Sequence, residues 1–233
     1  MQSVELRSVS RVYDRLFALH RVSAKFEAGT VTGLVGDNGS GKTTLLSLLA
    51  TIEKPTDGTI EYDEVGWETF SEQFRERIGW IAHDSLLYDE LTGRENLEFY
   101  ASMYGVGDGN PPEEWLERVG LEEDADRRLA NYSRGMRQRL AIARALLHDP
   151  DLLLLDEPLT GLDRRGREAI IDLFGQLKRR QKLVVLASHD LRMLDELADC
   201  LLVLRRGKLS HFQKAIGEGD RERSVAELYR EYA

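Results

Sequence analysis

The chain has 233 residues, enough for one large domain or two small ones. Its 41 Asp and Glu against 32 Lys and Arg give a net charge of −9, which excludes a general nucleic-acid-binding protein because duplex binding needs cations that neutralise phosphates. A single cysteine, Cys200, excludes a disulfide framework, and no apolar run approaches the roughly 18 residues that span a bilayer. We therefore expect a soluble, cytoplasmic protein that binds no nucleic acid.

The first third of the chain predicts strands and a glycine-rich turn. Val4–Val9 alternates apolar and polar residues, and Val22–Phe26 does so more loosely. Val31–Val35 then runs into the turn Gly36–Gly41, and a helix is predicted over Lys42–Thr51. This order of strand, turn and helix is typical of the βα unit of a phosphate-binding α/β domain. Further short strands are predicted at Gly58–Tyr62 and Ile78–Ile81.

The middle third predicts a mostly helical insertion, over about residues 84–131. Thr92 and Glu95 have the spacing of a capping box ahead of an amphipathic helix. Further helices are predicted over Glu113–Val119 and Arg134–Leu147. The arginines of the second helix, among them Arg144, are expected to face acids or solvent.

The last third returns to alternating strands and helices. Asp151–Leu155 and Leu183–Ala187 are continuous apolar runs, as expected for strands of a parallel sheet that is buried on both faces. Arg164–Arg180 and Asp190–Ala198 are predicted helices, and Cys200–Leu204 is a predicted last strand. The charged tail, residues 217–233, predicts a peripheral helix.

The turn carries a phosphate-binding motif. Residues 36–43 match the pattern G-x-x-x-x-G-K-[ST], in which backbone N–H groups and a helix N-terminus surround phosphate oxygens. Lys42 is expected to reach the β- and γ-phosphates, and the Thr43 hydroxyl to bind Mg²⁺. The predicted ATP- and phosphate-binding residues of this segment are Gly36, Asp37, Asn38, Gly39, Ser40, Gly41, Lys42, Thr43 and Thr44.

Two acids follow the buried strand Asp151–Leu155. In open α/β folds ligands bind at the carboxyl ends of the strands, so Asp156 and Glu157 are expected beside the phosphates. Asp156 is predicted to hold Mg²⁺, and Glu157 to orient or deprotonate the attacking water. Any strand can end in acids, and the phosphate loop upstream is what favours the catalytic interpretation.

A third motif narrows the class of nucleotide hydrolase. Residues 132–139, Tyr-Ser-Arg-Gly-Met-Arg-Gln-Arg, resemble the signature of ABC ATPases, usually written LSGGQ. Thr160–Asp163 is similar to the D-loop of that family, and Ser188-His189 to its switch histidine. Tyr13, with Phe17 as a nearby substitute, stands where the family places an aromatic residue that stacks on adenine. The resemblance covers the chain from about Val4 to Lys208.

This resemblance implies a fold and a domain organisation. The fold is α/β, a P-loop NTPase core with a RecA-like parallel sheet and an antiparallel N-terminal β part, plus a helical subdomain. We expect one nucleotide-binding domain over residues 1–233. Its core comprises about residues 1–83 and 150–210. The helical insertion with the signature helix comprises about residues 84–149, and the C-terminal tail comprises residues 211–233.

The resemblance also implies partners and roles. ABC cassettes close head to tail as dimers, so Ser133, Arg134, Gly135 and Met136 are expected to contact a nucleotide held by a second cassette, which one full set of motifs allows to be an identical copy. Asp163 would align the two sites, and His189 would bond the γ-phosphate. Integral membrane transporter subunits are implied as further partners, received in a groove near residues 83–89. The protein would then lie on the cytoplasmic face of the membrane.

The sequence departs from the family pattern at three positions. Arg134 and Met136 replace the glycine and glutamine that many signatures carry, and His83 stands where the family usually has the glutamine of the Q-loop. In the family this glutamine touches Mg²⁺ and the attacking water, so the resemblance implies that His83 is a catalytic and Mg²⁺-binding residue. As a hypothesis, an imidazole at this position makes hydrolysis depend on pH near neutrality.

Residues 82–88 and 132–136 resemble the ATPase of the cytochrome c maturation system, which favours haem export. The alternative within transport is a short-cassette exporter of drugs, lipids or polysaccharides, since such proteins also carry Ser-Arg-Gly-Met. An alternative of another class is a soluble ABC ATPase of DNA repair or translation. The long coiled-coil insertion of repair members and the second cassette of translation members are both absent from this sequence.

Overall fold

The computed structural model describes residues 1–82, 85–106, 111–213 and 224–232. The strands of the central sheet are β3 (Val31–Val35), β6 (Ile78–Ile81), β7 (Leu152–Asp156), β8 (Leu183–Ala187), β9 (Cys200–Arg205) and β10 (Lys208–Gln213). The strands of the N-terminal sheet are β1 (Ser3–Tyr13), β2 (Leu16–Glu27), β4 (Asp57–Tyr62) and β5 (Val65–Gly66). The helices are α1 (Lys42–Leu49), α2 (Trp67–Gln73), α3 (Gly93–Tyr104), α4 (Pro112–Arg118), α5 (Arg134–Leu146), α6 (Arg164–Arg179), α7 (Leu191–Leu197) and α8 (Val225–Tyr232).

The central sheet has the strand order β10-β9-β3-β8-β7-β6. Its strands are parallel except for β10, which pairs antiparallel with β9 at one edge. The N-terminal sheet is antiparallel, with the order β2-β1-β4-β5. The predicted fold class, an α/β nucleotide-binding core with an antiparallel N-terminal part and additional helices, is confirmed.

Two hydrophobic cores lie on opposite faces of the central sheet. Leu152 and Leu154 of β7 pack with the N-terminal sheet and α1, while Leu153 and Leu155 pack with the helices on the other side. Because successive side chains of a strand point to opposite faces, a strand that feeds two cores must be apolar throughout. The four leucines of β7 are buried for this reason.

The helical region begins where the sequence predicts it. Thr92 and Glu95 form a capping box: the Glu95 N–H donates to Thr92 Oγ1 at 3.1 Å, and the Thr92 N–H donates to Glu95 Oε2 at 2.8 Å. This box starts α3, which packs against α4 and α5. None of the helices in the described ranges is long and apolar enough to cross a membrane.

Several features of the structure differ from the sequence-based expectation. Strands β5 and β10 and helix α2 were not expected. Of the predicted tail helix, the described residues 224–232 contain α8, and residues 217–223 lie outside the described residues. Arg144, expected to face acids or solvent, is only 4% exposed. It donates to the backbone carbonyl of Trp80 at 2.6 Å and lies over the ring of Tyr100.

Candidate nucleotide-binding site

The glycine-rich turn leaves the end of β3 and leads directly into α1. Gly39 and Gly41 have φ values of 77° and 105°, a conformation that side chains other than that of glycine rarely adopt. A Cβ at Gly41 would also lie 2.6 Å from the carbonyl oxygen of Ala18. The loop therefore needs glycine at position 41 both for its conformation and for its approach to β2.

Lys42, the first residue of α1, folds back over this loop. Its Nζ donates to the carbonyl oxygens of Gly36 at 2.6 Å and Asp37 at 3.1 Å. The ammonium group thus lies within the turn, next to the positive end of the helix dipole. A cation and a helix N-terminus at one point form a binding site for phosphate groups.

Thr43 joins the phosphate loop to the acid at the end of β7. Its Oγ1 donates to Asp156 Oδ2 at 2.7 Å, and Asp156 is 9% exposed. A hydroxyl and a carboxylate are oxygen donors of the kind that Mg²⁺ prefers beside nucleotide phosphates. The donor set at Thr43 and Asp156 therefore fits the predicted magnesium ion.

Glu157 and His189 meet at the same edge of the sheet. Glu157 Oε1 lies 2.9 Å from His189 Nδ1, and the Ser188 hydroxyl donates to Glu157 Oε2 at 3.3 Å. Glu157 has a φ of 52°, and its N–H donates to the carbonyl oxygen of Ala187 at 2.9 Å. The predicted acid and the predicted switch histidine are therefore in direct contact, since β7 and β8 are neighbouring strands.

An ion pair orients the segment that follows His189. Asp190 pairs with Arg167 of α6 and caps α7 by accepting the Met193 N–H at 3.2 Å. Burial alone raises the pKa of Asp190, but the hydrogen bond from Arg167 holds it below its usual value. Asp190 thus ties the segment after β8 to both α6 and α7, while the side chain of His189 is 80% exposed.

A cavity of about 450 Å³ opens over these groups. Asp156, Glu157 and His189 line one side of it, and Arg134 of the signature segment lines another. Ala82 and Ser85 also line it. His83, the predicted third catalytic residue, lies outside the described residues.

The signature residues pack against the D-loop of the same chain. A Cβ at Gly135 would lie 2.8 Å from the carbonyl oxygen of Gly161, and a Cβ at Gly161 would lie 3.1 Å from the side chain of Arg134. Ser133 caps α5 by accepting the Met136 N–H at 3.3 Å. Among the described contacts, none joins these residues to the phosphate loop. One chain therefore brings together the loop, Asp156, Glu157 and His189. Of the signature, Arg134 lines the same cavity, while Gly135 packs on Gly161.

Asp163 has a local structural role. Its Oδ1 accepts the Gly166 N–H at 2.8 Å and caps the N-terminus of α6. The predicted role in aligning two cassettes stays a prediction.

Two residues that the sequence motifs do not include, Arg11 and Glu53, contact Tyr13, the residue predicted to stack on adenine. Tyr13 is 39% exposed, its hydroxyl hydrogen-bonds Glu53, and the Arg11 guanidinium lies 4.6 Å from its ring centroid. Arg11 also pairs with Glu53 at 2.9 Å. Residues two apart in a strand share a face, which is the sequence signal that could have placed Arg11 over Tyr13. Phe17, the substitute, is 54% exposed and packs edge-on against His20.

The chain matches the ABC transporter family over residues 19–160. It is 37% identical over 198 residues to the ABC transporter ATP-binding protein NatA of Bacillus subtilis, covering 82% of this chain and 80% of that protein. It is 35% identical over 207 residues to the bacitracin transport ATP-binding protein BcrA of Bacillus licheniformis, covering 88% and 68%. It is 36% identical over 230 residues to the daunorubicin resistance ATP-binding protein DrrA3 of Streptomyces coeruleorubidus, covering 97% and 70%.

Solved structures agree with these relatives. An ATP-binding subunit of an ABC transporter superimposes with a TM-score of 0.88 at 27% identity, covering 98% of both chains. The ATP-binding cassette MJ0796, solved as a dimer in a post-hydrolysis state with ADP and Pi, superimposes with a TM-score of 0.83 at 27% identity, covering 92% of this chain and 99% of that one.

Proposed function

Because the chain belongs to the ABC transporter family as an ATP-binding, ATP-hydrolysing subunit, we propose that it powers the export of a drug-like compound or peptide antibiotic through separate membrane subunits. Support for this cargo class comes from similarity to proteins named for bacitracin transport and daunorubicin resistance. The haem-export preference from residues 82–88 and 132–136 finds no support among these relatives. The alternative of a short-cassette exporter fits them better.

The residues of one chain divide the chemistry among them. The loop amides and Lys42 hold the β- and γ-phosphates. Thr43 and Asp156 would hold Mg²⁺, which would neutralise charge on the phosphate oxygens. Glu157 accepts the proton of the attacking water, and His189 contacts the γ-phosphate and orients Glu157. Positioning and charge stabilisation account for most of the acceleration.

A second copy of the chain completes each site. Gly135 packs on Gly161 of its own D-loop, and no described contact joins Ser133 or Gly135 to their own phosphate loop, so both are available to a nucleotide bound by another cassette. The dimeric arrangement of the similar MJ0796 cassette supports this proposal. Hydrolysis at Glu157 then reopens the two cassettes.

The membrane subunits dock in a groove between β6 and the helices α3 and α5. This docking groove encloses about 350 Å³ and is lined by Leu86, Met103 and other apolar residues, with Arg144 and His148 at its floor. Phe99 and Tyr88 extend the exposed apolar surface beside it. An exposed apolar patch of this kind is typical of a protein-binding surface. The chain would reach the membrane through this contact.

One observation carries the ATPase proposal. Asp156 bonds Thr43 across 113 positions of sequence, and Lys42 lies in the same phosphate loop. The test is equilibrium binding of Mg-ATP to Lys42→Ala, with Lys54→Ala as a matched control, because Lys54 pairs with Glu68 outside the site. We expect binding to be lost in the first variant and retained in the second. Equal affinity in both would overturn the proposal.

A second experiment tests the docking groove. Met103→Glu places a charge in the apolar surface, whereas Ser102→Glu places the same charge on another exposed face of α3. We expect membrane proteins to co-purify with the wild type and Ser102→Glu, but not with Met103→Glu. ATP binding should be the same in all three. Co-purification that is unchanged by Met103→Glu would place the contact elsewhere.

A further inference from the structure

The C-terminal helix reaches the phosphate loop through a side-chain hydrogen bond. The Tyr229 hydroxyl donates to Asp37 Oδ1 at 2.7 Å, across 192 positions of sequence. The carboxylate of Asp37 raises the pKa of Tyr229, so the phenol keeps the proton that it donates. The contact therefore links α8 to the residue that follows Gly36.

The position of α8 is fixed by contacts on both sides of Tyr229. At its start, the Val225 N–H donates to Asp195 Oδ1 of α7 at 2.6 Å, and Val225 and Leu228 are buried. At its end, the Tyr232 ring stacks on His211 of β10 with 4.0 Å between centroids. Since both ends are anchored, Tyr229 is presented to the loop by the fold.

Asp37 places a negative charge in a loop that has to bind anions. Its backbone oxygen lies 3.1 Å from Lys42 Nζ and also accepts the Ser40 N–H at 3.0 Å. The backbone of Asp37 thus lies beside the Lys42 ammonium, and rotation of the Asp37 side chain would bring its carboxylate towards that ammonium. Among the described ion pairs none joins the Asp37 carboxylate to Lys42, and the carboxylate accepts a hydrogen bond from Tyr229 instead.

We propose that Tyr229 is a positioning residue for nucleotide binding, whose hydroxyl holds the Asp37 carboxylate on the α8 side of the loop. Lys42 then stays available to the phosphates. Without the hydroxyl, the carboxylate pairs with Lys42 and its charge opposes the incoming nucleotide. This inference rests on the proposed binding of Mg-ATP at the same loop.

The test is the affinity for Mg-ATP of Tyr229→Phe, which removes the hydroxyl and keeps the ring. From the usual strength of a hydrogen bond to a charged group, reduced for its exposure, we expect a dissociation constant about three- to tenfold higher than that of the wild type. Tyr232→Phe is the matched control, because Tyr232 lies on the same helix and contacts His211 instead. It should bind like the wild type.

A double-mutant cycle separates this role from a general effect on folding. Asp37→Asn removes the charge that Tyr229 is proposed to hold, so adding Tyr229→Phe to it should change the affinity less than twofold. The inference is overturned if Tyr229→Phe leaves the affinity for Mg-ATP unchanged. It is also overturned if Tyr229→Phe lowers this affinity equally in the wild type and in Asp37→Asn. Wild-type protein that fails to bind Mg-ATP would instead refute the proposed function itself.

Discussion

The substitution Glu157→Gln tests the proposed proton acceptor with little change of shape. Both carboxylate oxygens of Glu157 are in contact, one with His189 Nδ1 at 2.9 Å and one with Ser188 Oγ at 3.3 Å. Glutamine preserves the size of the side chain but does not accept a proton at neutral pH. Loss of a general base costs about 10²- to 10⁴-fold in turnover, or about 2.7–5.4 kcal/mol in the barrier.

The assay is phosphate release at saturating Mg-ATP, measured beside equilibrium binding. We expect the turnover of Glu157→Gln to fall by that factor, while its affinity for ATP stays within about twofold, since the phosphate loop is untouched. Glu168→Gln is the matched control, because Glu168 pairs with Arg164 on the exposed face of α6. A loss of turnover below tenfold in protein with bound ATP would refute the assignment of Glu157.

Two further predictions concern stability. A Cβ at Gly79 would lie 2.8 Å from side-chain atoms of Leu153 and Pro150, so Gly79→Ala should lower the free energy of unfolding by about 1–3 kcal/mol. Gly175 has open helical surroundings, so Gly175→Ala should raise the free energy of unfolding by up to about 1 kcal/mol. Urea denaturation that ranks the two variants the other way would contradict the packing described for β6. Burial, together with the charge of Arg144, lowers the pKa of His148 below its ordinary 6.5, so folding favours the neutral ring. His148 therefore contributes stability that is complete above pH 6.5 and declines as the pH falls below it. Urea midpoints at pH 7.5 and 5.5 should differ less in His148→Phe than in the wild type, and equal differences would exclude this contribution.

The edge of the sheet that carries the candidate site was predictable because each of its parts is local in sequence. The phosphate loop lies between a strand and a helix, and Asp156 and His189 follow apolar runs that form β7 and β8. Parallel neighbouring strands end at the same edge, so local patterns were enough to bring these residues together.

Contacts between distant segments were not predictable in the same way. Nothing in the local pattern joins Tyr229 to Asp37, since the position of α8 depends on its packing against α7 and β10. Arg144 belongs to a helix with many arginines, and the packing of α5 against β6 and α3 buries it.

The edge strand β10 has a weak signal in the sequence. Arg206 and Gly207 have φ values of 49° and 76°, which is the conformation of a two-residue hairpin turn. Asn-Gly or Asp-Gly would have marked this turn clearly, whereas Arg-Gly does not. The mixed polarity of Lys208–Gln213 also hides the strand.

The ATP-dependent mass of the protein in solution tests the shared nucleotide site most directly. Analytical ultracentrifugation of Glu157→Gln should give the monomer mass without nucleotide and twice that mass with Mg-ATP. Adding Lys42→Ala to the same variant should abolish the shift. A Glu157→Gln protein that binds ATP and yet sediments as a monomer at every ATP concentration would contradict the sharing of nucleotide between two chains.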